Sequence, residues 1–92
     1  MAPLPKLKSQ IRLGEAERGL AGIIHSVDAE SVPSALSATE LESRLLELGF
    51  VEGARVEILH HGVVGRDPIA VRVDNVTVAI RRREAMAITV AC

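Results

Sequence analysis

Tyrosine and tryptophan are absent from this 92-residue chain, and Phe50 is its single aromatic residue. Recognition of nucleic acid by stacking successive bases needs several aromatic faces, so that mode is excluded. Basic charge is not in excess either. Lys+Arg against Asp+Glu is 11 − 12 = −1, which lacks the electrostatic footprint of a polyanion binder. The single cysteine, Cys92, leaves nothing to form an internal disulfide or a multi-cysteine zinc or iron–sulfur site within one chain. No apolar run approaches the ~18–20 residues of a membrane span. The first ten residues carry two lysines and two prolines with no hydrophobic stretch after them, unlike a secretory signal. The expected compartment is the cytoplasm, with no direct membrane insertion and no nucleic-acid partner.

What remains is a globular composition: 48% hydrophobic and 25% charged residues in a length that allows one domain. A chain this short buries about 60–65% of its extended surface, enough for one small core but not for a deep cleft between subdomains. Charge is slightly asymmetric. Residues 1–53 hold 5 basic and 8 acidic groups (−3), and residues 54–92 hold 6 and 4 (+2), a mildly basic second half.

Residues 1–10, with Pro3 and Pro5, read as a flexible N-terminal arm, and residues 11–92 as the domain. Residues 20–27 form a strand candidate that is apolar on both faces. Residues 28–38, rich in serine and carrying Pro33, read as a surface loop. A helix of about three turns follows. Ser37 with Glu40, or Thr39 with Glu42, fits a capping box. Leu41, Leu45 and Leu48 recur at i, i+4 and i+7, widened by Leu46, and Gly49 stands where a left-handed terminating residue is wanted. Beyond Gly53 the period becomes two. Val56 and Ile58, then Ile69, Val71 and Val73, then Val76, Val78 and Ile80, then Ile88 and Val90 alternate with smaller or polar residues. Asp74 and Asn75 alone separate two of these runs, which predicts a tight hairpin. Residues 61–68, with Gly62 and Gly65, predict a loop between antiparallel strands. Four or five short strands and one short helix cannot bury both faces of an open sheet. Curling into a small barrel covers the inner face and hides the edges. The fold class expected is mainly β with one short helix (α+β).

No catalytic constellation assembles. Cys92 is too near the end of the chain to be positioned against a histidine, and paired acids such as Glu15/Glu17 and Glu40/Glu42 sit in loop or helix-start contexts. The glycines around Val63 and Val64 are not followed by Lys-Ser/Thr and a helix, so they make no phosphate cradle. His60 and His61 are the one metal-like feature. Neighbours on a strand face opposite ways, and no Cys, Asp or Glu lies at ligand spacing, which leaves at most a weak contact between chains. His25 reads as a partly buried, hydrogen-bonded strand residue. No cofactor, metal site or enzyme activity is expected. Arg81, Arg82 and Arg83 form the most charged run. On a strand, Arg81 and Arg83 would share a side and Arg82 would take the other. As a site, the run reads as a docking contact for an acidic or phosphorylated partner surface; as structure, it reads as a solvated strand end.

The ordered set Arg44-Leu45-Leu46-Glu47-Leu48-Gly49-Phe50-Val51-Glu52-Gly53 resembles the "RLxxLGFxxG" segment of the FeoA family. Asp67-Pro68-Ile69-Ala70-Val71 resembles its "DP" strand entrance, and Val78-Ala79-Ile80-Arg81-Arg82-Arg83-Glu84-Ala85 with Ile88-Thr89-Val90 resembles its closing "ALRxxEAxxIxV". The likeness spans about residues 11–91. Leu45, Leu48, Gly49, Phe50, Gly53, Asp67 and Pro68 are its motif positions, and they read as structural. Gly49 ends the helix, Phe50 plugs the space between helix and barrel, Gly53 turns the chain, and Pro68 fixes a strand entrance. Glu52 stands where the family often has Pro and Asn75 where a hairpin Gly is common, and the 28–38 loop is longer than usual. The resemblance implies an SH3-like barrel acting as a small cytoplasmic accessory of ferrous iron uptake, bound to the GTPase-bearing cytoplasmic domain of the FeoB-type permease. A weak homo-oligomer is compatible with it. The alternative is an interaction domain related to the C-terminal domain of metal-dependent repressors, although no helix-turn-helix precedes the barrel here. A small hydrolase, lacking a nucleophile–base pair, ranks last.

Overall fold

The computed structural model describes residues 9–33 and 36–92. Most of the expected N-terminal arm, residues 1–8, lies outside these, as do Ser34 and Ala35 of the 28–38 loop. Among the described residues six strands form one antiparallel sheet: β1 (Gln10–Arg12), β2 (Ala21–Val27), β3 (Arg55–His61), β4 (Ile69–Val73), β5 (Val76–Ile80) and β6 (Ile88–Ala91). Their order is β1-β6-β2-β3-β4-β5. Helix α1 spans Ala38–Glu47, and a four-residue helix, α2, spans Arg82–Ala85. The strand-rich expectation with one short helix holds. Two elements go beyond it. β1, only three residues long, is too short to show a period and exists by pairing with β6; α2 replaces strand where the arginine run was expected to stay extended.

Alternation decides what is buried. Val56 and Ile58 of β3, Ile69, Val71 and Val73 of β4, Ile80 of β5, and Ile88 and Val90 of β6 all point into one core. Successive strand residues face opposite sides, so each strand contributes every second side chain. Leu41 and Leu45 of α1, Leu13 and the fully buried Phe50 cover that core. Leu46 does not widen the helix stripe as expected, for it is 48% exposed, one position past the buried arc.

The helix is bounded as its sequence dictates. Ser37 Oγ accepts the Glu40 N–H at 3.2 Å and donates to the Glu40 carboxylate at 3.1 Å, so Ser37 is the N-cap and Glu40 closes on its hydroxyl rather than on the backbone N–H of a full capping box. At the other end Gly49 has φ +99°. Its N–H reaches Leu46 O and the Phe50 N–H reaches Leu45 O, the paired bonds of a Schellman ending that an L side chain at Gly49 would strain. The Phe50 ring thereby starts its path into the core directly from the helix end. Gly53 has φ +87° and donates to Ile24 O, leading the chain into β3.

The two-residue hairpin is as expected. Val73 pairs Val76, and Asp74 takes φ +52°. Asp74 is also tied sideways: its N–H donates to Arg55 O and its Oδ1 accepts the Arg55 N–H. Two bulges break the strict alternation, one between Ile24 and Ser26, the other between Ile58 and His60. The expectation for His25 is corrected. Its side chain is exposed rather than partly buried, because it lies on the face of β2 opposite the buried Ile24, and it is also the bulge residue without an opposite partner.

Candidate functional site

The arginine run lies where β5 gives way to α2. After Ile69 pairs Ile80, the ladder stops. The Arg82 N–H is taken by the Asp67 carboxylate at 2.9 Å. Asp67 thus caps α2 from fifteen residues upstream, satisfying a donor the short helix leaves open. Arg81 remains extended, at φ −73° and ψ 144°, as the residue preceding α2. The peptide bond between Asp67 and Pro68 is cis.

The three arginines do different things. The Arg82 guanidinium turns inward. Its Nε donates to Arg66 O at 2.7 Å, and its Nη1 donates to Ala16 O at 2.8 Å and Gly14 O at 3.2 Å. Its Nη2 is buried, with no hydrogen-bond partner among the described residues. Arg82 therefore joins the 3-10 turn Leu13–Glu15, the loop before β4 and α2 into one unit. Gly14 permits that approach, since a Cβ there would lie 2.3 Å from Arg82 O and 2.7 Å from Met86 Sδ. Arg81 and Arg83, by contrast, are exposed. The strand geometry expected for the run is corrected: the split of charge survives, with Arg82 inside and its neighbours outside, but a capped helical turn produces it.

Two ionic contacts brace the same region. Glu84, buried apart from 8% of its surface, lies 3.5 Å from Arg44 Nε and couples α2 to α1. Arg66 pairs with Glu17, and the hydrogen bond from that guanidinium holds the Glu17 carboxyl below the usual glutamate range. Neither pair was expected. Partners 40 residues apart (Arg44 and Glu84) or 49 apart (Glu17 and Arg66) leave no local spacing signal.

The remaining polar residues do not converge. His60 and His61 end β3, His60 exposed and His61 half-buried with its Nδ1 3.1 Å from Gly62 O. Among the described residues no group of three or more His, Cys, Asp or Glu comes together, and no helix is long and apolar enough to cross a membrane. The Cys92 N–H and Sγ both turn to Ser9 O beside β1. A depression beside the β4–β5 turn is lined by Arg55, Arg72, Glu57 and Asp74, whose charges offset. Val63 and Val64, at the tip of the β3–β4 loop, are 99% and 87% exposed.

Residues 11–92 match the FeoA domain family. No curated protein sequence matches the chain. Among solved structures, it is similar to the zinc-complexed FeoA of Stenotrophomonas maltophilia, a prokaryotic SH3-domain protein. The two share 32% identity at TM-score 0.68, over 87% of this chain and 88% of that one. Similarity to the FeoA protein of Chlorobium tepidum is 31% at TM-score 0.69, over 88% of this chain and 69% of that one. A manganese-dependent transcriptional repressor superposes at TM-score 0.71 over 91% of this chain and 42% of its own, with 19% identity; that likeness is one of fold alone. The sheet with its SH3-like relatives, the helix ending at Gly49 and Phe50, and the family match across 11–92 converge: this chain belongs to the FeoA family.

Proposed function

We propose that this protein is a non-catalytic, cytoplasmic accessory of ferrous iron uptake that docks on the GTPase-bearing cytoplasmic domain of the ferrous iron permease, with Arg81 and Arg83 as its contact residues. Family membership supports the process. The observation that carries the docking site is the division of labour in the arginine run. Arg82 bonds three carbonyls and fixes the turn, so Arg81 and Arg83 are presented to solvent from an anchored backbone. A pre-organised pair of guanidiniums loses less freedom on binding a carboxylate or phosphate surface than the same groups on a mobile loop. Rim charges of this kind mainly set encounter rate and salt dependence.

The test is a titration of the permease's soluble GTPase-bearing domain with this protein at two salt concentrations. Saturable binding is expected, weakened by salt and by about tenfold or more in Arg81→Glu/Arg83→Glu. Absence of saturable binding at high micromolar concentration contradicts the reading. So does duplex DNA binding with a steep salt slope, which would favour the repressor-like alternative.

A further inference from the structure

The sheet has two ends, and they differ. β1 is three residues long and includes Arg12. β5, Val76-Thr77-Val78-Ala79-Ile80, is five residues without a charge, a proline or a bulge. Among the described residues its one neighbour in the sheet is β4. Natural edges usually carry one of the devices β5 lacks, because an open row of N–H and C=O groups templates another strand.

The geometry of that row is specific. The two-residue turn makes Val73 and Val76 the closing pair, and antiparallel alternation then commits the main chains of Val76, Val78 and Ile80 to β4. The N–H and C=O of Thr77 and Ala79 point away from the sheet. Among the described residues no backbone hydrogen bond outside the β4 ladder engages either residue.

We infer that this edge pairs with the β5 edge of a second copy of the chain, antiparallel about a two-fold axis at Val78. Three features favour a second copy. The free groups are self-complementary: Thr77 of one copy faces Ala79 of the other, and the two exchanges of N–H and C=O give four hydrogen bonds with Val78 on the axis. The same register sets Val76, 60% exposed in the single chain, beside Ile80 of the other copy and extends the apolar face. The ends also complement. Asp74 precedes β5 and Arg81 follows it, both exposed, so an antiparallel pair brings the Asp74 end of each copy to the Arg81 end of the other. An isologous contact of this kind closes on itself and stops at two.

Two five-residue strands bury less than a standard interface, so the dimer is weak, with a dissociation constant on the order of 100 μM to 1 mM. Sedimentation velocity under reductant, run from about 10 μM to about 1 mM, tests this. The sedimenting mass is expected to rise from 9.8 kDa towards twice that value. In Thr77→Glu/Ala79→Glu, carboxylates stand directly opposite across the axis, while within the monomer Glu at position 77 would face Arg72 on β4. That variant should remain monomeric over the same range. Amide exchange of the unmodified chain provides a second reading, with Thr77 and Ala79 slowing as concentration rises. An unmodified chain that stays monomeric at the top concentration overturns the inference. So does a dimer that survives the double substitution, or protection of Thr77 and Ala79 that depends on an added partner protein and not on this chain's own concentration.

Discussion

Arg82 illustrates how a charged side chain can be structural in the middle of a run that looks like a binding patch. Its guanidinium serves Arg66, Gly14 and Ala16 carbonyls, three acceptors on two segments that a flexible ammonium cannot bridge together. Arg82→Ala or Arg82→Lys is expected to cost about 2–4 kcal/mol, since truncation also strands partly buried carbonyls. Arg81→Ala and Arg83→Ala should stay within about 0.5 kcal/mol. Urea denaturation of the three variants separates them; equal effects at all three positions would contradict the division. Glu17 makes a second prediction. Its folded-state pKa is lowered by Arg66, so the pairing contributes above the ordinary glutamate pKa and is lost as pH falls through the folded-state value. An NMR titration should place Glu17 below an ordinary glutamate, and Arg66→Gln should return it; an unchanged value in that variant would refute the cause. Neither Arg82's inward turn nor the Glu17–Arg66 pair was legible in the sequence, because both depend on segments that meet only in the fold.

The elements show where local rules suffice and where they stop. Helix α1 was legible in the sequence, its Gly49–Phe50 ending directly and its start to within two candidate caps, Ser37 with Glu40 and Thr39 with Glu42, of which the structure uses the first. The β4–β5 hairpin was equally plain from Asp74 and Asn75. Three features were not: β1, which exists through β6; the bulge at His25; and α2, whose capping carboxylate, Asp67, lies across a loop. Of the motif positions, Gly49 and Phe50 end α1 and Asp67 caps α2. Asp67→Ala should lower stability by about 1 kcal/mol, comparable to Ser37→Ala, as the loss of a helix cap. Thermal or urea unfolding measures both. A neutral Asp67→Ala would mean that the Arg82 N–H finds another acceptor and that Asp67 is not what ends β5.

For the molecule as a whole, one small core leaves two exposed guanidiniums at one corner of the sheet and, among the described residues, an unpaired strand edge beside them, the surfaces proposed above for docking and for self-pairing. The composition already pointed this way, with too few aromatics for base stacking and too little charge for a polyanion. The FeoA motifs point to the process, and the fold turns Arg82 inward while leaving Arg81 and Arg83 exposed. Amide-shift mapping on adding the permease's GTPase-bearing domain tests the docking proposal most directly. Shifts concentrated on Arg81, Arg83 and the adjoining α2 turn, with the Arg82 environment preserved, are predicted. Shifts confined to residues 28–38 or to Val63 and Val64, with the arginine corner silent, would contradict it.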